Sequence, residues 1–185
     1  MRVIAGRFGG RRLIAPRGSG TRPTADRVRE ALFSMLGPIE GAHVLDLFAG
    51  TGALGIEALS RGAAAAVFVE RDRDALSALD ANLAALGLQQ AAGAQAQVRS
   101  RDALAALADA LAHGERYDLV FVDPPYAQAQ ALGPRLAQDL PSLLAPGGTV
   151  VVEADRRAPL AIELPVRRQR RYGDTSITIH GGDES

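Results

Sequence analysis

The stretch Leu45–Gly55, LDLFAGTGALG, decides the fold of this chain. Its apolar beginning predicts a buried strand, and the glycines that follow predict a tight turn from that strand into a helix. Gly50, Gly52 and Gly55 match the spacing G-x-G-x-x-G, which leaves room for a ligand against the backbone. Glu70 ends the next predicted strand, 20 positions after Gly50, where an acid that binds a ribose is expected. The stretch therefore predicts a nucleoside-cofactor site in an α/β fold.

Asp46 narrows the choice of cofactor. It lies four residues before Gly50, inside the end of the strand. A carboxylate there suits the cationic amino-acid end of S-adenosylmethionine, directly or through water, and is a poor neighbour for the pyrophosphate of a dinucleotide. Without Asp46, the glycines and Glu70 fit NAD equally well. A capping aspartate before a glycine turn that binds nothing is the remaining alternative.

Strands and helices alternate along the rest of the chain. The predicted strands span residues 43–48, 65–70, 96–100, 117–122, 149–153, 166–171 and 175–180, and the predicted helices span residues 25–36, 54–61, 73–86, 103–112 and 128–144. Thr24 is the expected N-cap of the first helix, and Gly133-Pro134 and Pro141 are candidate breaks in the last one. The alternation predicts an α/β fold: a mostly parallel sheet with helices on both faces and a C-terminal antiparallel hairpin.

The segment Asp123-Pro124-Pro125-Tyr126 follows the apolar run Tyr117–Val122 and carries the candidate chemistry. Asp123 can accept hydrogen bonds from an amino group. Because neither proline has an N–H, the segment accepts hydrogen bonds through its carbonyls and hardly donates them. Tyr126 offers a flat face for a nucleobase. These features favour an amino methyltransferase, although a Pro-Pro turn that merely leaves a strand fits the four residues equally well.

Each of four successive predicted strands has an acid within two residues of its end. The four acids are Asp46, Glu70, Asp102 and Asp123. The carboxyl ends of parallel strands meet at one edge of a sheet, where ligands of open α/β sheets bind, so we expect these acids near one crevice. Asp102 taken alone is more simply explained as a helix N-cap.

Length and composition fit one domain. At 185 residues the chain is long enough to bury roughly 70% of its unfolded surface. No apolar run approaches the roughly 20 residues that cross a bilayer, and the N-terminus lacks the apolar segment of a signal peptide. The absence of cysteine excludes thiolate metal sites, and the three histidines are too scattered to suggest a metal site. We therefore expect a cytoplasmic protein that binds neither a metal nor a membrane.

The charge is unevenly distributed along the chain. All 21 basic residues are arginines, as a GC-rich genome would favour, and eight of them lie in residues 1–30 against two acids. Residues 31–166 carry nine arginines against sixteen acids. A basic arm therefore precedes an acidic body.

The basic arm is a candidate surface for nucleic acid. Two short strands around Gly9-Gly10 predict a hairpin within it. Arginine binds phosphate bidentately and stacks on bases, so we expect residues 1–23 to contact nucleic acid and residues 24–185 to form the catalytic domain. The alternative is a solvated, partly disordered N-terminus.

Six segments, which together reach across nearly the whole chain, resemble one protein family. They are Arg2–Gly6, Gly10–Leu13, Arg22–Phe33, Leu45–Gly55, Glu57–Gly62 and Phe121–Tyr126. The family that they resemble is RsmD, bacterial S-adenosylmethionine-dependent methyltransferases of class I that modify the exocyclic amino group of a guanine in 16S ribosomal RNA. Many amino methyltransferases share the glycine loop and Asp-Pro-Pro-Tyr, whereas Arg22–Phe33 is the segment most specific to this family.

The resemblance implies a Rossmann-like class I fold with a seven-stranded sheet, and methyl transfer to the N2 amino group of one guanine, guanine-966 by family analogy. It implies that Asp123 and the Pro124 carbonyl accept the two N–H bonds of the amine, with Asp123 as a candidate general base. Tyr126 would stack on the base, which must leave its helix or already be unpaired.

The resemblance also implies the ligand contacts. The implied cofactor-binding residues are Asp46, Phe48, Ala49, Gly50, Thr51, Gly52, Glu70, Arg71, Asp102, Ala103 and Asp123. The implied RNA-binding residues are Arg2, Arg7, Arg11, Arg12, Arg22, Thr24 and Arg27. Glu70 would bind the ribose hydroxyls, and Asp102 would bind the adenine amino group. The expected partner is 16S ribosomal RNA within a partly or fully assembled small subunit, the expected cofactor product is S-adenosylhomocysteine, and the protein is expected to be a monomer.

Three other functions stay open at this point. The first is the same chemistry on adenine in DNA or glutamine in a protein. The second is an NAD-dependent oxidoreductase, which would leave Asp123–Tyr126 unexplained. The third is a non-catalytic RNA-binding factor in ribosome assembly, for which lost cofactor motifs would be typical.

Overall fold

The computed structural model describes residues 1–15, 23–89, 95–155, 159–160 and 162–181, without the side chains of residues 23–25, 126 and 127. The strands are β1 (His43–Asp46), β2 (Ala65–Glu70), β3 (Ala96–Ser100), β4 (Tyr117–Val122), β5 (Leu144–Asp155), β6 (Val166–Tyr172) and β7 (Thr175–Gly181). The helices are α1 (Pro23–Leu36), α2 (Ala53–Ser60), α3 (Arg73–Ala85), α4 (Ala103–Ala112) and α5 (Tyr126–Asp139), the last followed by a short 3-10 helix, Leu140–Leu143.

One sheet holds the seven strands in the order β3-β2-β1-β4-β5-β7-β6. Strands β1 to β5 run parallel, and β7 pairs antiparallel with both β5 and β6. The predicted mostly parallel sheet with a C-terminal antiparallel hairpin is confirmed. The order switches between β1 and β4, and such a switch point opens a crevice at the carboxyl ends of the strands.

Side chains alternate between the two faces of the sheet, so each central strand contributes to two cores. On one face, Val44 and Phe68 pack against side chains of α1, α2 and α3. On the other face, Leu45 and Val69 pack against α4 and α5. The predicted helices on both faces are therefore confirmed. In the part of the chain that the structure describes, no helix has both the length and the apolar character needed to cross a bilayer.

Two boundaries near the site differ from the sequence prediction. Helix α1 begins at Pro23, so Thr24 lies in the first turn and is not the residue before the helix. Proline suits the first helical position because the N–H that it lacks would have no partner there. Strand β1 ends at Asp46, although the N–H of Leu47 still donates to the carbonyl of Phe121 at 3.1 Å.

Two further differences lie beyond the site. Strand β5 already begins at Leu144, and the predicted turn Pro146–Gly148 is an irregularity within it, where the register with β4 shifts. Helix α5 continues through Pro134 without a break. Ala129 and Leu136, on either side of this proline, are both buried, so tertiary packing outweighs the low helix propensity of proline.

Residues 1–15 form a loop that packs on the face of the sheet covered by α1, α2 and α3. The expected hairpin takes the form of a single antiparallel bridge between Arg2 and Arg12, where two full strands were expected. Val3 and Leu13 are buried in the core of this face. The division into an arm of residues 1–23 and a catalytic domain stays a prediction.

Candidate active site

The carboxyl ends of the parallel strands surround a cleft of about 400 Å³, which we call the glycine-loop cleft. Its lining residues are Leu47, Phe48, Gly50, Val69, Glu70, Arg71, Arg101, Asp102, Ala103, Asp123, Pro124, Pro125, Gln128, Leu132 and Glu153. Among them are the following residues that the sequence assigned to the cofactor or to catalysis: Phe48, Gly50, Glu70, Arg71, Asp102, Ala103, Asp123 and Pro124. Three of the four strand-end acids, Glu70, Asp102 and Asp123, therefore line one crevice, whereas the fourth, Asp46, is buried and is not part of this lining.

Ala49, Thr51 and Gly52, also assigned to the cofactor, belong to the glycine loop but are not part of the cleft lining. Ala49 and Gly52 are buried, and the backbone carbonyl of Thr51 accepts a hydrogen bond from Asn82 Nδ2 at 3.0 Å. The side chain of Tyr126 lies outside the described residues, so its stacking role stays a prediction.

The glycine loop turns closely over the sheet. Gly52 has a φ of 82°, in the left-handed region, and a Cβ on it would lie 2.4 Å from Leu79 Cδ1. A Cβ on Gly55 would lie 2.3 Å from the ring of Phe68. The packing of α2 on the sheet therefore requires Gly55, and the left-handed backbone beside α3 favours glycine at position 52, in addition to any space that the two leave for a ligand.

Glu70 holds the glycine loop at the end of β2. Its Oε2 accepts a hydrogen bond from the N–H of Gly50 at 2.8 Å. Its Oε1 accepts from the N–H groups of Arg71 and Asp72 at 2.7 and 2.8 Å. These charge-assisted bonds fix the carboxylate where an acid that binds ribose hydroxyls is expected.

Asp46 lies at the end of β1 and is only 2% exposed. Its Oδ2 accepts a hydrogen bond from the N–H of Gly55 at 3.0 Å. Burial raises the pKa of Asp46 to about 7, with the Gly55 hydrogen bond acting against the rise and the charge of Glu70 adding to it. Asp46 was expected to contact the amino-acid end of S-adenosylmethionine either directly or through water. Its burial favours the contact through water.

We expect the difference in the free energy of unfolding between Asp46→Asn and the wild type to shift in favour of the variant as the pH rises from about 4 to about 7. Unfolded aspartate ionises near pH 4, whereas folded Asp46 ionises near pH 7, so the folded wild type holds the extra proton within this window. The free energy of unfolding of the wild type therefore falls by on the order of 3 to 4 kcal/mol across this pH window. The asparagine variant has no such group and does not show this fall. Urea unfolding at several pH values measures the difference, with Asp80→Asn, an exposed site on α3, as the control. A difference that is constant with pH would contradict the assignment.

Asp102 caps α4 and also lines the glycine-loop cleft, while its contact with the adenine amino group stays a prediction. Its Oδ1 caps α4 by accepting from the N–H of Leu104 at 2.9 Å, which confirms the capping prediction. Its Oδ2 lies 3.2 Å from Arg71 Nη1, and both residues line the glycine-loop cleft. Because the pair is half exposed, it contributes little to stability, and its carboxylate stays accessible from the cleft.

Asp123 and Glu153 also line a second cleft, of about 300 Å³, which we call the α1-side cleft. Its lining residues are Met1, Val28, Arg29, Leu32, Ala53, Leu54, Asp123, Glu153, Tyr172 and Thr175. Asp123 is accessible to solvent through the clefts. The protein atoms packed around it nevertheless replace much of the bulk water, and this desolvation, with the nearby charges of Glu153 and Asp46, raises the pKa of Asp123 well above its ordinary value. Burial likewise raises the pKa of Glu153.

The basic residues assigned to RNA are exposed wherever the structure describes them. These are Arg2, Arg7, Arg11, Arg12 and Arg27. Arg22 and the side chain of Thr24 lie outside the described residues, so their roles stay predictions.

The sequence analysis missed three charged residues that organise this region. Glu153 lies at the boundary of both clefts, and it could have been found, because it follows an apolar run as the other strand-end acids do. Arg29 and Glu57 are buried and lie 3.7 Å apart between Arg29 Nε and Glu57 Oε2. Both residues lie in segments that resemble the family, but nothing in those segments indicates their burial or their pairing, which depend on how α1 and α2 pack.

Comparison with known proteins places the chain in a family. A family model described as "Conserved hypothetical protein 95" matches residues 1–181. The Bacillus subtilis protein YlbH is 40% identical over 184 residues, which cover 97% of this chain and 98% of YlbH. Ribosomal RNA small subunit methyltransferase D of Escherichia coli is 42% identical over 155 residues, which cover 83% of this chain and 71% of that protein. The chain belongs to the RsmD family.

A solved structure agrees with the RsmD assignment. The yhhF protein of Escherichia coli superposes with a TM-score of 0.84 at 35% identity, covering 100% of this chain and 99% of that one. This likeness and the strand order confirm the Rossmann-like fold of class I methyltransferases. Among the residues described for this RsmD-family chain, no group of three or more histidine, aspartate or glutamate side chains is placed to hold a metal ion. Independence from metals stays a prediction.

Proposed function

We propose that this RsmD-family protein transfers the methyl group of S-adenosylmethionine to the exocyclic N2 amino group of a guanine in 16S ribosomal RNA. The observation that carries the proposal is the position of Asp123 at the boundary of two clefts. A methyl donor in the glycine-loop cleft and a base in the α1-side cleft would meet at this carboxylate. The name of the Escherichia coli relative supports the RNA substrate, and family analogy supports guanine-966.

The glycine-loop cleft fits S-adenosylmethionine in size and in chemistry. Its volume of about 400 Å³ lies within the range of small-ligand sites. Glu70 suits the ribose hydroxyls, and Asp102 suits the adenine amino group. Phe48 and Ala103 supply apolar wall for the adenine and the ribose. Asp46, beneath the loop, suits the ammonium group of the methionine part through water.

When bound, the cofactor supplies a methyl group on a positively charged sulfonium. Asp123 and the Pro124 carbonyl would accept the two N–H bonds of the guanine amine and turn its lone pair toward that methyl group. As the new N–C bond forms, Asp123 would accept the proton that the nitrogen releases. The raised pKa of Asp123 suits this role, because an ordinary carboxylate would hold the proton too weakly near neutral pH.

The exposed arginines of residues 1–15, together with Arg27, are proposed to hold RNA phosphates. Met1, which begins this segment, lines the α1-side cleft. RNA held along the segment would therefore present an extruded base to the cleft beside Asp123. Action on a partly or fully assembled small subunit, as a cytoplasmic monomer, belongs to the same proposal.

Replacing Arg11 and Arg12 together by alanine is expected to weaken RNA binding and its dependence on salt. Each phosphate contact contributes about 0.7 to 0.9 to the slope of log K against log salt, so the slope should fall by about 1.5. Binding titrations at several salt concentrations measure it. Arg116→Ala, an exposed change at the amino end of β4, should leave the slope unchanged. A wild-type slope in the double variant would remove these two arginines from the RNA surface.

The test of the proposed function is transfer of labelled methyl groups to small ribosomal subunits that lack the modification, followed by nucleoside analysis. Label on the exocyclic amine of one guanosine is the expected result. Label in DNA or protein, with none in RNA, would favour the same chemistry on adenine or glutamine. Tight binding of NAD in place of S-adenosylhomocysteine would favour an oxidoreductase. RNA binding without any binding of either cofactor would favour a non-catalytic assembly factor.

A further inference from the structure

We propose that Glu153 accepts a hydrogen bond from the ring N1–H of the target guanine while Asp123 accepts from its exocyclic amine. The two carboxylates together would then select guanine over bases that carry an amino group beside an unprotonated ring nitrogen. This inference rests on the proposed function and assigns to Glu153 the discrimination between nucleobases. Asp123 cannot discriminate alone, because guanine, adenine and cytosine all carry an exocyclic amino group.

The sheet places the two carboxylates side by side. In the parallel pairing of β4 with β5, Val122 is opposite Val152, so Asp123 and Glu153 are the next matched positions on strands about 4.8 Å apart. The two valines pack in the core on the α4 and α5 face. Because side chains alternate along strands, Asp123 and Glu153 belong to the opposite face, where the α1-side cleft lies.

Both acidic residues are accessible from the two clefts. Asp123 and Glu153 are shared by the linings of the glycine-loop cleft and the α1-side cleft. Among the residues that the structure describes, none donates a hydrogen bond to either carboxylate, in contrast to Glu70, which accepts three. Acceptors at a cleft wall with no donor from the described protein are suited to donors on a ligand.

Guanine matches two adjacent acceptors. Its Watson–Crick edge carries the N2 amino group and the N1–H next to each other, and both are donors. Adenine and cytosine each place their amino group beside a ring nitrogen that is an acceptor. An ionised carboxylate can only accept, so Glu153 would face the lone pair of such a nitrogen without a hydrogen bond. A site built around a substrate N–H rejects an analogue that lacks it, because the buried acceptor is left unpaired.

The α1-side cleft also offers apolar wall for a guanine ring. Val28, Leu32 and Leu54 supply it for the faces of a base, in a volume of about 300 Å³. Arg29, 5% exposed, is in the same lining, with its Nε 3.7 Å from Glu57 Oε2.

The charge state of the pair is compatible with this role. The charge of Asp46 on β1 acts on Asp123, and the α1-side cleft adds Arg29 from α1 and Tyr172 from β6 as ionisable side chains and Met1 with its amino group. Burial raises the pKa of both carboxyl groups, and Glu153 raises that of Asp123 further. Two N–H donors of a bound guanine favour the ionised forms, so the base itself stabilises the acceptors that recognise it.

The decisive experiment compares guanine with 2-aminopurine at the methylated position of 16S RNA, reconstituted into small subunits. 2-Aminopurine keeps the N2 amino group but lacks O6, and its N1 is an acceptor without a proton. The change of the guanine-to-2-aminopurine ratio in a Glu153 variant therefore isolates the contribution of N1. Wild-type protein should methylate guanine roughly 10- to 100-fold faster, the loss expected for one unpaired buried acceptor. Glu153→Gln should shrink this ratio at least several-fold, because its amide can donate to N1 of 2-aminopurine. Glu163→Gln, at an exposed position before β6, should keep the wild-type ratio.

Three outcomes would overturn the inference. Equal rates on both bases with wild-type protein would show that N1–H is not recognised, and this comparison needs no variant to fold. An unchanged ratio in Glu153→Gln, with S-adenosylhomocysteine binding intact by calorimetry, would remove Glu153 from base selection. Absence of transfer to guanine by wild-type protein would instead defeat the proposed function, and this inference with it.

Discussion

Asp123→Ala is expected to lower the rate of methyl transfer roughly 10²- to 10⁴-fold, the range for a positioned proton acceptor, and to leave cofactor binding largely intact. The variant loses both the acceptor that orients the amine and the group that takes its proton. The cofactor should still bind, because the Glu70 contacts that hold the glycine loop lie at the end of a different strand. Single-turnover transfer and calorimetric titration with S-adenosylhomocysteine measure the two quantities separately.

Asp123→Asn separates the two roles of this carboxylate. Its amide oxygen can still accept one hydrogen bond from the amine, but it cannot take up the proton. A rate between those of the wild type and Asp123→Ala would assign part of the effect to orientation. Asp80→Ala, an exposed aspartate on α3, is the matched control and should have the wild-type rate. Near-normal turnover in Asp123→Ala would remove the catalytic assignment.

Glu57→Ala is expected to cost about 3 to 5 kcal/mol in the free energy of unfolding, the usual effect of removing one partner of a buried charge network. Glu57 is 0% exposed. Its oxygens accept from the backbone N–H groups of Ile4 at 2.7 Å and Ala5 at 3.1 Å, and from Arg61 Nε at 2.7 Å. The variant would leave these donors unpaired and would leave Arg29 buried without this carboxylate.

Urea unfolding of Glu57→Ala measures the loss, which corresponds to a fall in Tm of about 10 °C for a chain of this size. Asp109→Ala is the control, since it breaks the Arg101–Asp109 ion pair, which is largely exposed and should contribute at most about 1 kcal/mol. If the free energy of unfolding fell by the same small amount in both variants, Glu57 would not anchor the segment of residues 1–15 to α2.

Most of the fold was predictable because its signals are local. Glycine turns, caps and apolar periodicity act over a few residues, so β2, β3, α4 and β4 were predicted with the bounds that the structure shows. The candidate break at Gly133-Pro134 is absent for the opposite reason. The low helix propensity of glycine and proline is a local signal, and the burial of Leu136 in the core outweighs it.

The site was predictable only in part, for a related reason. Acids at the ends of successive strands share an edge in any parallel sheet, which is why Glu70, Asp102 and Asp123 could be placed together from spacing. The position of Glu153 beside Asp123 needs the strand order, because β5 could have paired elsewhere without any change in its own sequence.

By itself, the sequence determined the βα alternation, the glycine loop and the acceptor-rich segment that begins at Asp123, since each follows from chemistry within a few neighbouring residues. The tertiary structure alone decided that Asp123 and Glu153 divide two clefts, and that buried Glu57 ties residues 1–15 to α2. These are contacts between residues far apart in the chain, and they form only when sheet order and helix packing bring the residues within hydrogen-bond reach.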